Sequence, residues 1–312
     1  MKTYIPSYIR IALLLAFVWP MAASAQQVPM YSQYMFNGLV LNPAYAGSKG
    51  YISSTLIVRE QWTGIDEAPS TQSFSFHGPS RNLRHGFGFT FVNDKAGAIN
   101  DMNLAVDYAY RIPVGKTGAL SFGLEAGVNN YRANYDGLRT ETDATDIAIV
   151  ANNVNLWLPD VNFGIYYDSR RFYIGASARH LVPNNLHDTG AGDFESIRER
   201  HYLATAGVVI DLGRDVKFKP STLVKYHPAA PLQADLNASF LFREKLWTGV
   251  SWRSFDAVAF ILEWQATKAF RLGYSYDLST SRLQGISGGS HEFMLGFDLH
   301  FRGRGNVSPR FF

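Results

Sequence analysis

Apolar and polar residues alternate along most of this chain. From Ala119 to Asn129 the even positions are apolar and the odd positions are small or polar. Successive side chains of a β-strand point to opposite faces, so this stretch predicts a strand with one apolar and one polar face. Residues 102–111 and 292–302 alternate in the same way. Further runs lie near residues 51–58, 70–78, 86–93, 161–168, 171–180, 201–212, 216–227, 231–242, 245–254, 256–266 and 269–278.

These runs predict an all-β fold, a transmembrane outer-membrane β-barrel of about fourteen antiparallel strands. Most runs have roughly eight to twelve residues, near the length that a tilted strand needs to cross a bilayer. A soluble β-sandwich would carry bulky charged residues on its wet face. Here the polar face is rich in Gly, Ala, Ser, Asn and Asp, which suit a crowded barrel interior. Mean hydropathy is −0.10, and after the amino terminus no apolar run reaches the roughly 18 residues of a membrane helix.

The amino terminus has the features of a secretory signal. Lys2 and Arg10 precede the apolar run 11–18, and the small residues 23–25 follow it. This order predicts a cleaved signal peptide over residues 1–25. The remaining chain is then expected to divide into a periplasmic amino-terminal segment (26–50), the barrel (51–302) and a periplasmic carboxy-terminal tail (303–312).

Composition narrows the function classes. The chain has no cysteine, so an exported form has neither disulfides nor thiol chemistry. It has 29 basic and 26 acidic residues, two of the basic ones in the predicted signal. Such a balanced charge argues against a nucleic-acid partner.

The lengths of the predicted connections give the barrel a direction. Outer-membrane barrels have short periplasmic turns and long external loops. Most even-numbered connections are short, and we expect them, with both barrel termini, in the periplasm. The long odd-numbered connections, expected outside, are residues 59–69, 94–100, 130–160, 181–200 and 279–290.

The chain resembles the PorP/SprF family of the type IX secretion system of Bacteroidetes over essentially its whole predicted mature length. The resemblance starts in the segment before the first strand and recurs to the end of the chain. Its residues are Tyr31 to Asn37, Asn42 to Gly47, Gln61 to Gly64, Val92 to Lys95, Tyr173 to Gly175, Lys219 to Ser221, Val224 to Tyr226, Leu272 to Asp277, Gly288 to Glu292 and Ser308 to Phe312.

The resemblance implies an outer-membrane barrel that supports secretion or surface anchoring of cargo proteins, such as gliding adhesins, through protein–protein contacts. The implied partners are periplasmic ring proteins or the carboxy-terminal domain of a secreted cargo, with outer-membrane lipid around the barrel. Two alternatives stay open, a passive porin and a structural scaffold for the ring complex. The chain departs from the family pattern at residues 179–182 and in the Asn- and Thr-rich stretch 131–160, which affects partner choice.

Charged residues recur on the face that should line the lumen. They could stand opposed across an open, water-filled pore, or they could pair and fill the lumen, and stretch 130–160 is long enough to fold inward as a plug. The residues are Arg111, Glu125, Arg179, Asp235, Arg253, Glu263, Arg271, Asp277 and Asp298.

The segment 26–50 is aromatic and rich in turn residues, without strand alternation. It could be a lid at the periplasmic mouth, a docking strip for a periplasmic partner, or both. Tryptophans near strand ends are typical of interfacial girdles but can also contact a partner. The candidate partner-binding residues are Tyr34, Phe36, Asn42, Pro43, Tyr45, Trp62, Trp157 and His180.

No enzyme, metal site or cofactor is predicted. A barrel lipase would need a serine and a histidine side by side, but Ser290 and His291 are consecutive and should point to opposite faces of a strand. Asp143, Asp146 and Asp160 lack the spacing of a calcium-binding loop.

Overall fold

The strands of this protein form one antiparallel sheet that closes on itself. The computed structural model describes residues 29–134, 153–182 and 199–300. The strands are β1 (Ile52–Glu60), β2 (Ser70–Pro79), β3 (His85–Ala96), β4 (Ile99–Val114), β5 (Gly118–Ala133), β6 (Val154–Asp168), β7 (Phe172–Arg179), β8 (His201–Val208), β9 (Ile210–Asp211), β10 (Val216–His227), β11 (Ala230–Phe242), β12 (Leu246–Arg253), β13 (Ala257–Gln265), β14 (Phe270–Ser279) and β15 (Ser290–Leu299). The two-residue β9 continues β8 beyond Val209, so the wall has fourteen strands.

Closure of the ring is made by the first and last strands. β1 pairs with β15 along its whole length, with Ser53 opposite Asp298 and Glu60 opposite His291. Every other strand pairs with its neighbours in chain order. A closed barrel leaves no open sheet edge, as a hydrocarbon environment requires. The predicted fold class and strand number are therefore confirmed. Within the described residues no helix is long and apolar enough to cross a membrane.

The two faces of the wall differ as the alternation predicts. On β5 the outward Phe122 and Leu124 are 37 % and 50 % exposed, whereas the inward Ser121 and Glu125 are buried. The apolar side chains thus face the surroundings and the polar ones face the interior, the reverse of a soluble fold. The outward apolar side chains include Leu104, Val106, Phe122, Leu124, Phe260, Leu262, Phe293 and Leu295.

The barrel has two unlike ends. We call the end with the short connections after β2, β4, β6, β9, β11 and β13 the turn end, and the opposite end the loop end. The sequence predicts that the turn end is periplasmic.

Two predicted loops are shorter than expected. Stretch 94–100 is a tight turn, because β3 runs to Ala96 and β4 starts at Ile99. Stretch 130–160 holds the end of β5 and the start of β6, where Arg132 pairs with Asn155. The alternation of apolar and polar residues stops where polar residues begin, so the sequence predicts the strand ends there. Backbone pairing between the strands nevertheless continues beyond the apolar band. The rest of that stretch, most of 181–200, the predicted signal and the tail 303–312 lie outside the described residues.

Arginine in place of Val106, which faces outward and is 59 % exposed, should destabilise the folded barrel by ~2–4 kcal/mol. A charge on the lipid-facing wall has to be desolvated. Urea unfolding in lipid vesicles measures the change. Thr117→Arg, in an exposed turn, is the matched control and should change stability little. Equal effects of the two substitutions would contradict the assignment of the outer face.

Candidate functional site

Residues 31–49 lie inside the barrel and fill its lumen, and we call them the plug. All but Gly38 are buried. Three short 3₁₀ turns, Tyr34–Phe36, Gly38–Val40 and Pro43–Tyr45, shape the plug. Asn42 caps the third turn by accepting a hydrogen bond from Ala44 N (2.9 Å), and Pro43 suits its first position.

The plug is the larger part of segment 26–50, for which the sequence predicts a lid at the periplasmic mouth, a docking strip, or both. Tyr34, Phe36, Asn42 and Tyr45 are at most 7 % exposed, and Pro43 is also buried. Residues 31–49 therefore extend deeper than a lid at the mouth, and the docking role of the segment stays a prediction. Its aromatic side chains pack against aromatic residues of the wall, with ring centroids 6.2 Å apart for Phe36 and Trp247 and 5.4 Å apart for Tyr45 and Tyr166.

At the loop end, three carboxylates and two arginines hold the start of the plug. Glu292 accepts hydrogen bonds from the backbone N–H groups of Ser32 and Gln33, both at 2.8 Å. Ser32 Oγ donates to Asp277 (2.6 Å). Arg59 bridges Asp277 (2.8 Å) and Glu292 (3.2 Å).

Arg253 extends this network across the lumen. It donates to the carbonyl oxygen of Tyr31 (3.2 Å) and pairs with Asp235 and Asp277, both at 3.4 Å. The charged side chains of this network come from five strands, β1, β11, β12, β14 and β15, and each arginine lies beside carboxylates of opposite charge. In a buried setting such groups are tolerable only when paired and hydrogen-bonded. The network therefore specifies one position for residues 31–33.

The middle of the plug is held by its backbone and by Asn42. Asn42 Nδ2 donates to the carbonyl oxygens of Ile165 (3.0 Å) and Ala176 (3.2 Å). Ser177 Oγ donates to Leu41 O (2.6 Å), and Arg179 Nη1 donates to Val40 O (2.5 Å). These bonds tie the plug to β6 and β7.

Lumen-facing glycines make this approach possible. A Cβ atom at Gly123 would collide with the backbone of Ala44, and one at Gly164 would collide with the Asn42 amide. Gly86 stands in the same relation to Ala46. Close backbone approach is a use that only glycine allows. The small residues on the predicted polar face therefore accommodate the plug, in addition to narrowing the barrel.

At the turn end the plug joins the wall through a second charge network. Lys49 Nζ donates to Ser53 Oγ (3.0 Å), which donates to Asp298 (2.7 Å). Arg271 pairs with Asp298 (3.0 Å) and Glu263 (3.7 Å). Burial and the nearby Arg271 guanidinium lower the pKa of Lys49, whereas the carboxylate of Asp298 acts in the opposite direction.

The candidate lumen charges lie on the inner face of the wall, and each has an oppositely charged neighbour. Arg111 pairs with Asp168 at 2.9 Å, and the guanidinium of Arg179 lies 4.0 Å from Glu125. With the pairs of Arg253 and Arg271, this arrangement matches a filled lumen and not opposed charges across open water. The buried charges of the lumen also include Arg59, Lys49 and Glu292. They are not among the residues predicted from the sequence, although Glu292 lies on the polar face of an alternating run.

The other candidate partner contacts lie in three different settings. Trp157 points outward from β6 and is 58 % exposed. Trp62 is half-buried in the β1–β2 loop, where its backbone N–H donates to Ser290 Oγ (3.2 Å). His180 is buried, with Nδ1 2.9 Å from Asp160, so it does not belong to the external surface on which the sequence placed it.

The residues considered for catalysis or metal binding have structural partners. Ser290 is buried on the lumen side, whereas His291 faces outward beside Tyr274 Oη (2.8 Å). Asp160 contacts His180 and Asn103; Asp143 and Asp146 lie outside the described residues. Within those residues no group of three His, Cys, Asp or Glu side chains could hold a metal ion.

A closed fourteen-stranded barrel with a charged, plugged lumen defines the class of this protein as a membrane β-barrel. Its family follows from the sequence comparison. The family described as "Type IX secretion system membrane protein PorP/SprF" matches residues 23–297. The chain belongs to this family and is an outer-membrane β-barrel of type IX secretion. No curated protein matches it.

Solved structures with a similar fold include a transporter and a channel. The Ralstonia pickettii toluene transporter TbuX has a TM-score of 0.50 at 10% identity, covering 86% of this chain and 94% of its own. The CymD monoaromatic hydrocarbon channel has a TM-score of 0.52 at 11% identity, covering 85% and 93%. A Pseudomonas aeruginosa FadL homologue has a TM-score of 0.50 at 11% identity, covering 88% and 95%. At such identities the likeness shows the fold alone.

Replacing Glu292 by alanine should lower the free energy of unfolding by ~3 kcal/mol. The change leaves Arg59 with one carboxylate fewer and removes the acceptor of two plug N–H groups. Urea unfolding gives the energy, and limited proteolysis near residue 31 reports release of the plug. Glu60→Ala, an exposed residue on β1, is the control. A stable Glu292→Ala barrel with a protected plug would contradict this role.

Proposed function

We propose that this barrel supports secretion or surface anchoring of a cargo protein by binding it, and that it does not conduct solutes. The cargo is a secreted protein, such as a gliding adhesin, whose carboxy-terminal domain contacts the barrel. The observation that carries the proposal is the filled lumen in a member of a secretion family. A barrel whose interior is occupied from residue 31 to residue 49 can act only through its ends or its outer surface.

The filled lumen counts against the passive porin. A diffusion pore needs a continuous water path, whereas here Ser32, Asn42 and Lys49 each hydrogen-bond the wall at a different level. The ring-scaffold alternative makes a different demand, since it needs contacts at the turn end only. Cargo binding needs the loop end. The scaffold alternative and the cargo proposal therefore differ in the barrel end that has to be intact.

Deleting the gene should abolish surface display of at least one secreted protein, which quantitative proteomics of shaved cell surfaces would identify. Complementation with the full chain should restore display. Normal display of all secreted proteins, together with co-purification of periplasmic ring proteins, would favour the scaffold and reject the cargo proposal.

Purified wild-type barrel in a planar bilayer should show no steady conductance, and a variant lacking residues 31–49 should show open channels. The reason is that the plug is the part of the described chain that fills the lumen. Heat-modifiable migration on gels confirms that the shortened barrel is folded. Steady conductance of the wild-type barrel without any partner would restore the porin alternative.

A further inference from the structure

Basic residues mark every short connection of the turn end. Each of the six turns carries at least one exposed lysine or arginine, and together they hold nine of them against two acidic residues, Asp215 and Glu244. The basic residues, which we call the basic ring, are Arg81, Arg84, Lys116, Arg170, Arg171, Arg214, Arg243, Lys245 and Lys268.

The described part of the loop end lacks this bias. Its described connections between strands contain Arg200 and Arg282 as basic residues, together with four acidic residues. The positive charge is therefore a property of one barrel end and not of exposed turns in general.

Most of the basic ring is not neutralised within the protein. Arg171 pairs with Asp211 at 3.3 Å, but their side chains are 76 % and 43 % exposed, and pairs of this kind are weak. Asp211 is also paired with Lys217 (2.8 Å). Apart from Arg81 and Arg171, the residues of the basic ring form no ion pair within the described residues; these include Lys116, Arg170 and Lys268.

The basic ring lies at the boundary of the apolar band. Arg171 directly precedes the outward Phe172, and Arg243 directly follows the outward Phe242; these two phenylalanines are 43 % and 40 % exposed. Lys268 stands two positions before the outward Phe270. Long basic side chains beside an apolar membrane surface extend their charges to the level of the lipid headgroups.

The basic ring surrounds the whole barrel, and this arrangement indicates which kind of molecule neutralises its charge. A docked protein would contact one side of the mouth, whereas annular lipid surrounds all six turns. Anionic headgroups attract basic residues placed at their level. We propose that the basic ring binds the phosphate groups of anionic phospholipids in the leaflet at the turn end.

The test compares phosphatidylglycerol with phosphatidylcholine around the intact barrel. The protein is placed in nanodiscs of mixed lipid, and the lipids retained on it are counted by native mass spectrometry. The wild-type barrel should retain phosphatidylglycerol at about threefold or more above its share of the mixture. The triple variant K116Q/R170Q/K268Q should lose this enrichment.

A matched control removes the same charge from the other end. K95Q/R200Q/R282Q changes three exposed residues at the loop end and should keep the enrichment. Equal loss in both triple variants, or no enrichment in the wild type, would overturn the proposal. Heat-modifiable migration shows that each variant is folded.

Two further results would assign the basic ring to another ligand. If inorganic phosphate added to pure phosphatidylcholine discs gives the same thermal stabilisation as phosphatidylglycerol, a small-anion site replaces the lipid site. If the K116Q/R170Q/K268Q barrel keeps its lipid preference but loses a co-purifying acidic protein, the basic ring serves that protein. Neither result depends on whether the barrel displays cargo, so the proposed function is tested separately.

Discussion

Pairing between β1 and β15 is the interaction on which the rest of this structure depends. Hydrocarbon offers no hydrogen-bonding partner to a free strand edge, so the sheet is stable in a membrane only when its first and last strands meet. Closure also creates an interior of fixed width. The interior has to be packed without steric clashes and without unpaired charges. The lumen-facing glycines meet the first requirement, and the paired buried arginines meet the second.

The plug meets this demand with both shape and charge. Its backbone lies against Gly123 and Gly164, where no side chain intervenes. Its start is hydrogen-bonded to Glu292 and Asp277 of the last two strands, which are more than 240 positions away in sequence. Buried ion pairs add little net stability, because desolvation offsets their attraction. Their removal one partner at a time is costly, so they act mainly to fix a single arrangement of the plug.

A filled lumen moves the contacts with other molecules to the two ends and the outer wall. The ends differ in charge as well as in the length of their connections. The outer wall is apolar and aromatic, as contact with lipid requires. The barrel thus separates a membrane-facing surface, a positively charged turn end and a loop end, and a different kind of partner suits each.

The sequence alone determined the wall of this protein. Alternation over residues 119–129 and the similar runs predicted the strands, their two faces and an approximate strand number. The reason is that successive side chains of each strand face the lipid and the lumen in turn. The lumen charges, including Arg111 and Asp298, could be assigned by the same parity. The family resemblance was also visible in the residues.

The path of the plug was decided only by the tertiary structure. The segment around Tyr34, Asn42 and Tyr45 has no periodic pattern of apolar residues. An aromatic, turn-rich composition is equally compatible with a segment that covers the barrel mouth and with one that enters the lumen. Its partners are single glycines, carbonyl groups and carboxylates spread over strands far apart in the chain. Such contacts exist only after the ring has closed, so no local pattern could reveal them.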